Sequence, residues 1–422
     1  MTTTPEASAS AREAPSASTP TQPKDSAVSV VKAAFAHPLF SYRLVVVVGA
    51  VLLILGLLMV ISASSVKAAA ETDDPYYFGK RQIGFAVVGL LGAFALSRVP
   101  ERLLQALAWP LMGLAFVLLV LTKSPLGVNV AGNTNWLRFG PVWTQFQPSE
   151  FAKLAIIVFA ACNLYRRRRY LRDLRQWFVV VGLSFAMVVW VLVGQGDMGT
   201  AVVMAGMIIV ILIGAGAPWR LLLGVLAVSV VGAVALIVAQ PYRMERFWSF
   251  LNQGQDTLGL NYQAERGIYA LASGGWFGRG LGSSRQKWGL LSEAHTDYIF
   301  AIIGEELGLM GTLAVILLFV ALAYAGLRIA RRSSTMSNRL IAIGVVAWFT
   351  VQAFINIAVA TQTIPVMGVT LPMISYGGSS LMANLFAVGL LAGAARHEAE
   401  TEQLLASRKR RQRVTSAVRT SA

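Results

Sequence analysis

The sequence predicts an all-α polytopic membrane protein of about ten transmembrane helices, and three observations lead there. Hydrophobic residues make up 56% of the 422 positions and charged residues only 13%, about half the charged share of a soluble domain. Ten apolar runs of roughly spanning length follow one another. Arginine-rich clusters recur in connections that a ten-span arrangement places on one side.

Residues 1–43 are rich in Ser, Thr, Ala and Pro and read as a disordered cytoplasmic tail. The first apolar run, 44–63, is long enough to cross a hydrocarbon core of about 30 Å, and it begins too deep in the chain for a cleavable signal peptide. Further spans are predicted at 83–97, 102–121, 148–165, 177–195, 198–214, 218–240, 297–328, 339–361 and 380–395. The membrane domain thus covers 44–396, with a large extracytoplasmic loop at 241–295 between spans seven and eight. Residues 397–422 form a basic cytoplasmic tail.

Orientation follows from charge. Arg166-Arg167-Arg168-Arg169 with Arg172 and Arg175, Arg328 with Arg331, Arg332 and Arg339, and Arg408-Lys409-Arg410-Arg411 with Arg413 all fall on one side. The positive-inside rule makes that side the cytoplasm and puts both termini there. The net charge of +16 therefore points to anionic membrane lipid as neighbour, not nucleic acid. Cys162 is the single cysteine, which excludes an intramolecular disulfide. His37, His295 and His397 are too far apart in sequence to form a local metal-ligand motif.

Four unusual segments land on the opposite face. The first, 122–150, ends in Gln147-Pro148-Ser149-Glu150. Glu150 and Lys153 are three residues apart, on nearly one helix face, so they can pair. Pro-Ser-Glu also suits a helix's first turn, but that leaves a lysine inside an apolar run unexplained. The second, Gln195-Gly196-Asp197-Met198-Gly199-Thr200, holds an Asp that reads most simply as a helix cap. The third, 241–295, carries Arg243, Arg246, a glycine-rich run from Gly274 to Gly282, and Lys287; no P-loop pattern occurs in it. The fourth, Pro365 to Ser380, has the prolines, glycines and serines of a re-entrant or broken segment, tolerated at membrane depth only under cover of protein or water.

The third segment runs into Glu293-Ala294-His295-Thr296-Asp297, after which an apolar helix starts at Tyr298 and continues to about Ala330. Asp297 stands at its mouth, where it is either an N-terminal cap or a functional acid. Glu305 and Glu306 lie within the apolar run, where ionisable residues normally face a cavity or a partner.

Taken together, these motifs resemble the SEDS family (shape, elongation, division and sporulation). The matching residues are Gln147-Pro148-Ser149-Glu150 with Lys153, Asp197-Met198-Gly199-Thr200, Gly274-Gly275 through Gly282, and Glu293 to Asp297. Gly304-Glu305-Glu306-Leu307-Gly308 and Leu371-Pro372-Met373-Ile374-Ser375-Tyr376-Gly377-Gly378-Ser379-Ser380 complete the set, in collinear order over about 44–396. Ser62-Ala63-Ser64-Ser65, Asp74-Pro75-Tyr76-Tyr77-Phe78 and the long tails favour the division branch over the elongation branch. Gly196 and Ser292 stand where the family commonly has proline, and Asn135 stands before Trp136 where it often has arginine.

The resemblance implies a peptidoglycan glycosyltransferase that polymerises lipid II, an undecaprenyl-pyrophosphate-linked substrate, at the outer face of the plasma membrane during septal wall synthesis. It also implies a class B penicillin-binding protein transpeptidase and other division proteins as partners. Such chemistry asks for a general base at the attacking sugar hydroxyl and cations at the departing diphosphate. Asp297 is the candidate base. Glu150, Lys153, Arg243, Arg246 and Lys287, with Ser375, Gly377, Gly378 and Ser379 of the last motif, are the candidate substrate-binding residues. A divalent cation, Mg²⁺ or Mn²⁺, held by Asp297 or Glu150 could share the charge of the diphosphate. One displacement with one base implies inversion at the anomeric carbon. A lipid II flippase, for which Glu305 and Glu306 are the best support, and a non-catalytic divisome scaffold are the alternatives.

Overall fold

The computed structural model describes residues 37–130, 133–140, 145–170, 174–239, 241–251 and 262–399, with Thr401, Gln403 and Ser407 beyond them. The helices predicted as spans all form: α1 (Phe40–Thr72), α2 (Tyr77–Leu96), α3 (Glu101–Leu121), α4 (Pro148–Arg166), α5 (Leu174–Val189), α6 (Met198–Gly214), α7 (Trp219–Ala239), α10 (Ile299–Arg332), α11 (Met336–Ala360) and α12 (Gly378–Arg396). Two shorter helices, α8 (Pro241–Leu251) and α9 (Tyr262–Gly274), lie within the long loop. Between α3 and α4 the chain forms a small antiparallel sheet of β1 (Gly127–Val130), β2 (Asn133–Arg138) and β3 (Gln145–Phe146), with Gly127 opposite Leu137 and Leu137 opposite Phe146.

Among the described residues, eight helices are long and apolar enough to cross a membrane. The two predicted spans that fall short do so for different reasons. Helix α6 has 17 residues, and α4 carries Glu150, Lys153 and Arg166 in its 19. Helix α4 needs no lipid-facing surface, because residues from Pro148 to Leu164, Phe151 apart, are buried by neighbouring helices. Helix α12 packs closely on α2: a Cβ on Gly389 would stand 2.4 Å from the Ala93 carbonyl oxygen, so only glycine permits this approach, as in other small-residue helix contacts in membranes.

The basic clusters gather at one end of the bundle. Arg328 Nε donates to Ser41 Oγ (3.0 Å), Arg396 Nη1 to the Ser97 carbonyl (3.2 Å) and Arg166 Nη2 to the Gln105 carbonyl (2.8 Å). Ser334 N donates to the His397 carbonyl at the same end (3.2 Å). The residues from Arg408 onward lie outside the described residues.

Candidate functional site

The four unusual segments meet at the other end. Asp197 is the N-cap of α6 and accepts from Thr200 N and Thr200 Oγ1, both at 2.9 Å. The same carboxylate also accepts from Asn135 of β2 (3.3 Å) and from Gln147 Nε2 (3.2 Å), so the cap ties the sheet and the start of α4 to α6. A π-helical turn, Trp190–Gly194, delivers the chain to this point. Gln147 N donates to Ser379 Oγ (3.2 Å), and Gly377 N to Gln82 Oε1 (3.3 Å). Ser375 accepts from Leu371 N (2.7 Å) and donates to the Thr296 carbonyl (2.6 Å), while Tyr376 N donates to the His295 carbonyl (2.9 Å). The segment 365–377 is non-helical and its Leu371, Met373, Ile374 and Ser375 are buried, which is how irregular backbone survives at membrane depth.

This frame encloses a small open pocket of about 270 Å³, partly continuous with solvent, whose lining includes Gln147, Glu150, Lys153, Thr200, Gln352 and Gly368 to Thr370. Lys153 Nζ lies 2.9 Å from Glu150 Oε1 with the side chains only 1% and 5% exposed. It also donates to Gln352 Oε1 (2.8 Å) and sits 4.6 Å from the centre of the Trp348 ring. Gln352 is fully engaged: Oε1 also accepts from Trp348 Nε1 (2.6 Å), and Nε2 donates to the Thr370 carbonyl and hydroxyl (2.9 and 3.2 Å).

Asp297 adjoins the pocket-lining segment Gly368 to Thr370. Asn356 Nδ2 donates both to the Asp297 carbonyl (2.8 Å) and to the Val369 carbonyl (2.7 Å), fastening the two segments together. A Cβ on Gly368, a pocket-lining residue, would stand 3.5 Å from Asp297 Oδ2. Asp297 itself is half-buried. The capping position of α10 falls on Tyr298, whose side chain makes no capping bond. A half-buried carboxylate thus stands beside Gly368 of a pocket that the buried ammonium of Lys153 lines. A carboxylate can accept a proton, and a fixed ammonium can stabilise developing negative charge.

Glu305 and Glu306 form a second centre, away from the pocket lining. Ser284 Oγ donates to Glu305 (2.5 Å), as do the backbone N–H groups of Arg285 (3.0 Å) and Gln286 (3.4 Å). Ser62 Oγ donates to both oxygens of Glu306 at 2.7 Å, and Ser284 N to one of them (3.3 Å). Beside them α10 is broken at Gly308 (φ 69°, ψ −166°). The carbonyls of Glu305 and Glu306 accept from Arg279 N and Gly280 N (both 3.0 Å), and Leu309 N and Met310 N donate to Gly275 and Trp276 (2.9 and 3.1 Å). The glycine-rich loop thus replaces helix hydrogen bonds across the break. Gly278 (φ 77°) fits there because any Cβ would lie 2.1 Å from the Glu306 carbonyl oxygen.

Of the sequence-predicted site residues, Glu150 and Lys153 line the pocket together, and Asp297 adjoins its Gly368. Lys287 does neither: its ammonium donates to the carbonyls of Gly282 (2.7 Å) and Ser62 (3.3 Å) and lies 3.7 Å from Glu306, so it belongs to the second centre. The loop's docking at the break in α10 carries it there. Ser375, Gly377 and Ser379 hold the frame through the bonds above, and Gly378 packs on the Phe85 ring. The side chains of Arg243 and Arg246 lie outside the described residues.

Gln352, Asn356 and Gly368 were not singled out from sequence. The signal was present for the first two, polar residues four apart inside the predicted span 339–361. Among the described residues no group of three or more His, Cys, Asp or Glu side chains is placed to hold a metal ion. Mg²⁺ commonly takes only one or two protein carboxylates with substrate phosphate. Glu150, whose Oε2 is buried without a hydrogen-bond partner, and Asp297 are the carboxylates that fit such sparse ligation.

Among the described residues, eight helices long and apolar enough to cross a membrane, with two further helices packed among them and a polar pocket near one end, define a polytopic membrane protein. The chain belongs to the FtsW, RodA and SpoVE family of SEDS proteins: a family model described as "Cell cycle protein" matches residues 42–400. It is 40% identical to stage V sporulation protein E of Bacillus subtilis (strain 168) over 84% of this chain and 96% of that protein. It is also 40% identical to a probable peptidoglycan glycosyltransferase FtsW of Trichlorobacter lovleyi over 80% of this chain and 88% of that protein. A solved structure described as "Structural coordination of polymerization and crosslinking by a peptidoglycan synthase complex" superimposes with a TM-score of 0.68 at 29% identity, covering 84% of this chain and 97% of that one.

Proposed function

We propose that this protein is the septal lipid II polymerase of its cell, with Asp297 as general base. The enzyme class, peptidoglycan glycosyltransferase, is that of its FtsW relatives; the substrate, the septal role and the residue roles are the proposal. The observation that supports it most is that Asp297 Oδ2 adjoins Gly368, which lines the same pocket as the buried Glu150–Lys153 pair. In this reading the acceptor's sugar hydroxyl gives its proton to Asp297 as its oxygen attacks the anomeric carbon. The C–O bond to the lipid diphosphate breaks, with inversion. Lys153 supplies fixed positive charge to the departing diphosphate in a site where little water competes. A divalent ion held by Asp297 or Glu150 would add positive charge there.

The basic end of the bundle is cytoplasmic in this reading and the pocket opens outward, where the cell-wall substrate is used. A class B penicillin-binding protein is the proposed partner, in keeping with a structural neighbour described as coordinating polymerisation and crosslinking. The flippase alternative leaned on Glu305 and Glu306, and both carboxylates are taken up in anchoring the loop at the helix break.

Asp297→Asn tests the assignment. Asparagine keeps the size of the side chain but has no useful proton affinity. Glycan product from lipid II, made by the purified variant with its transpeptidase, is expected to fall by about 10²–10⁴-fold with the thermal midpoint unchanged. Polymerisation within a few-fold of wild type removes Asp297 from the mechanism.

A further inference from the structure

Helices α1 and α10 run antiparallel and touch at two levels. At one, Arg328 donates to Ser41; at the other, Ser62 donates to Glu306. Ser41 and Ser62 are 21 positions apart, about 31 Å along a helix, which matches a hydrocarbon core of about 30 Å. Between these levels α1 has no charged residue after Arg43, and α10 has none from Leu309 to Leu327. Val47, Ile54 and Leu58 on α1 are exposed there, as are Leu313, Leu317 and Val320 on α10. These are lipid-facing surfaces, and the Ser62–Glu306 level is their pocket-side limit.

The glycine-rich loop is pinned at that limit. Trp276 accepts from Met310 N, the first turn of the lipid-facing part of α10, and Lys287 donates to the Ser62 carbonyl. Yet Trp276, Phe277, Leu281 and Trp288 are 68%, 83%, 60% and 70% exposed. Four large apolar side chains on a loop whose backbone is locked into a helix break are not waiting for an internal core. The backbone of Trp276 meets α10 at Met310, itself exposed, where the lipid-facing stripe of α10 begins. Tryptophan is favoured where an apolar ring meets the headgroup layer, and the exposed Arg285 adds a phosphate-binding charge.

We propose that the 276–288 loop is a membrane-interface anchor, with Trp276, Phe277, Leu281 and Trp288 seated at the headgroup–acyl boundary of the pocket-side leaflet. The anchor goes beyond the proposed chemistry and does not depend on it. It holds the break in α10 at the level of the leaflet.

The test uses the full chain in a Cys162→Ser background, with Phe277→Cys or Trp288→Cys carrying an environment-sensitive nitrobenzoxadiazole label. The protein is reconstituted alone into phosphatidylethanolamine–phosphatidylglycerol vesicles. Blue-shifted emission is expected at both positions. Lipids spin-labelled near the headgroup should quench it more strongly than lipids labelled at mid-chain, and iodide should quench it weakly. A label at Arg285→Cys serves as the more water-accessible reference. Water-like emission with full iodide quenching at 277 and 288 overturns the proposal. Shielding from both lipid and iodide quenchers also overturns it, in favour of a protein contact. Wild-type thermal midpoints confirm that the labelled chains are folded.

Discussion

Lys153→Met is the most informative single perturbation, because the geometry fixes what it leaves behind. The ammonium is 2.9 Å from Glu150 Oε1 and both side chains are at most 5% exposed. Glu150 Oε2 has no hydrogen-bond partner to begin with. Removing the ammonium strands a buried carboxylate, a change that costs about 3–5 kcal/mol. Glu150→Gln is milder: the amide oxygen can still accept from Lys153, which also keeps Gln352 and the Trp348 ring, so the cost is about 1–3 kcal/mol. The double variant Glu150→Gln/Lys153→Met removes both charges and should recover most of the loss of Lys153→Met. A double-mutant cycle on thermal unfolding in detergent, run beside lipid II polymerisation, measures this. A coupling energy below about 0.5 kcal/mol, the level at which independent sites add, refutes the buried-pair reasoning. A stable double variant that polymerises at the wild-type rate confines the pair to a structural role.

Two further outcomes are expected. Burial, and then the positive charge of Lys67, hold the imidazole of His295 down at about pKa 4, with Glu293 opposing, against about 6.5 in an unfolded chain. The folded state therefore keeps a neutral imidazole that the unfolded state protonates first. Stability is full above about pH 6.5 and falls by on the order of 3 kcal/mol as pH drops toward 4; thermal midpoints against pH should show this slope, and His295→Phe should flatten it. Gly308→Ala places a Cβ 2.3 Å from Gly278 N at a positive φ and should cost at least about 1–3 kcal/mol, read as a lower thermal midpoint and faster proteolysis within 275–290.

The fold was legible because membrane spans are written as composition: an apolar run must be a helix where no water can satisfy its backbone. Composition does not say what covers that helix, so α4 read like the other spans although it is enclosed by them. The Glu150–Lys153 pair was legible because both partners lie on one helix three positions apart, where periodicity fixes their separation. The surroundings of Lys287 were not legible, for the opposite reason. Its position depends on a loop docking into α10 at a break made by the positive φ of Gly308, and a glycine in an apolar run announces no such thing. Asp297 lies between these cases. Sequence put it at a helix mouth, but its main chain is held beside the pocket-lining segment by Asn356 on its own carbonyl and Ser375 on that of Thr296. Asn356 and Ser375 lie 59 and 79 positions away from the carbonyls they hold, so no local periodicity could announce either contact. What the sequence shows of Asp297 is its place at the mouth of a helix, and what the structure adds is the pair of distant segments that fix its backbone there.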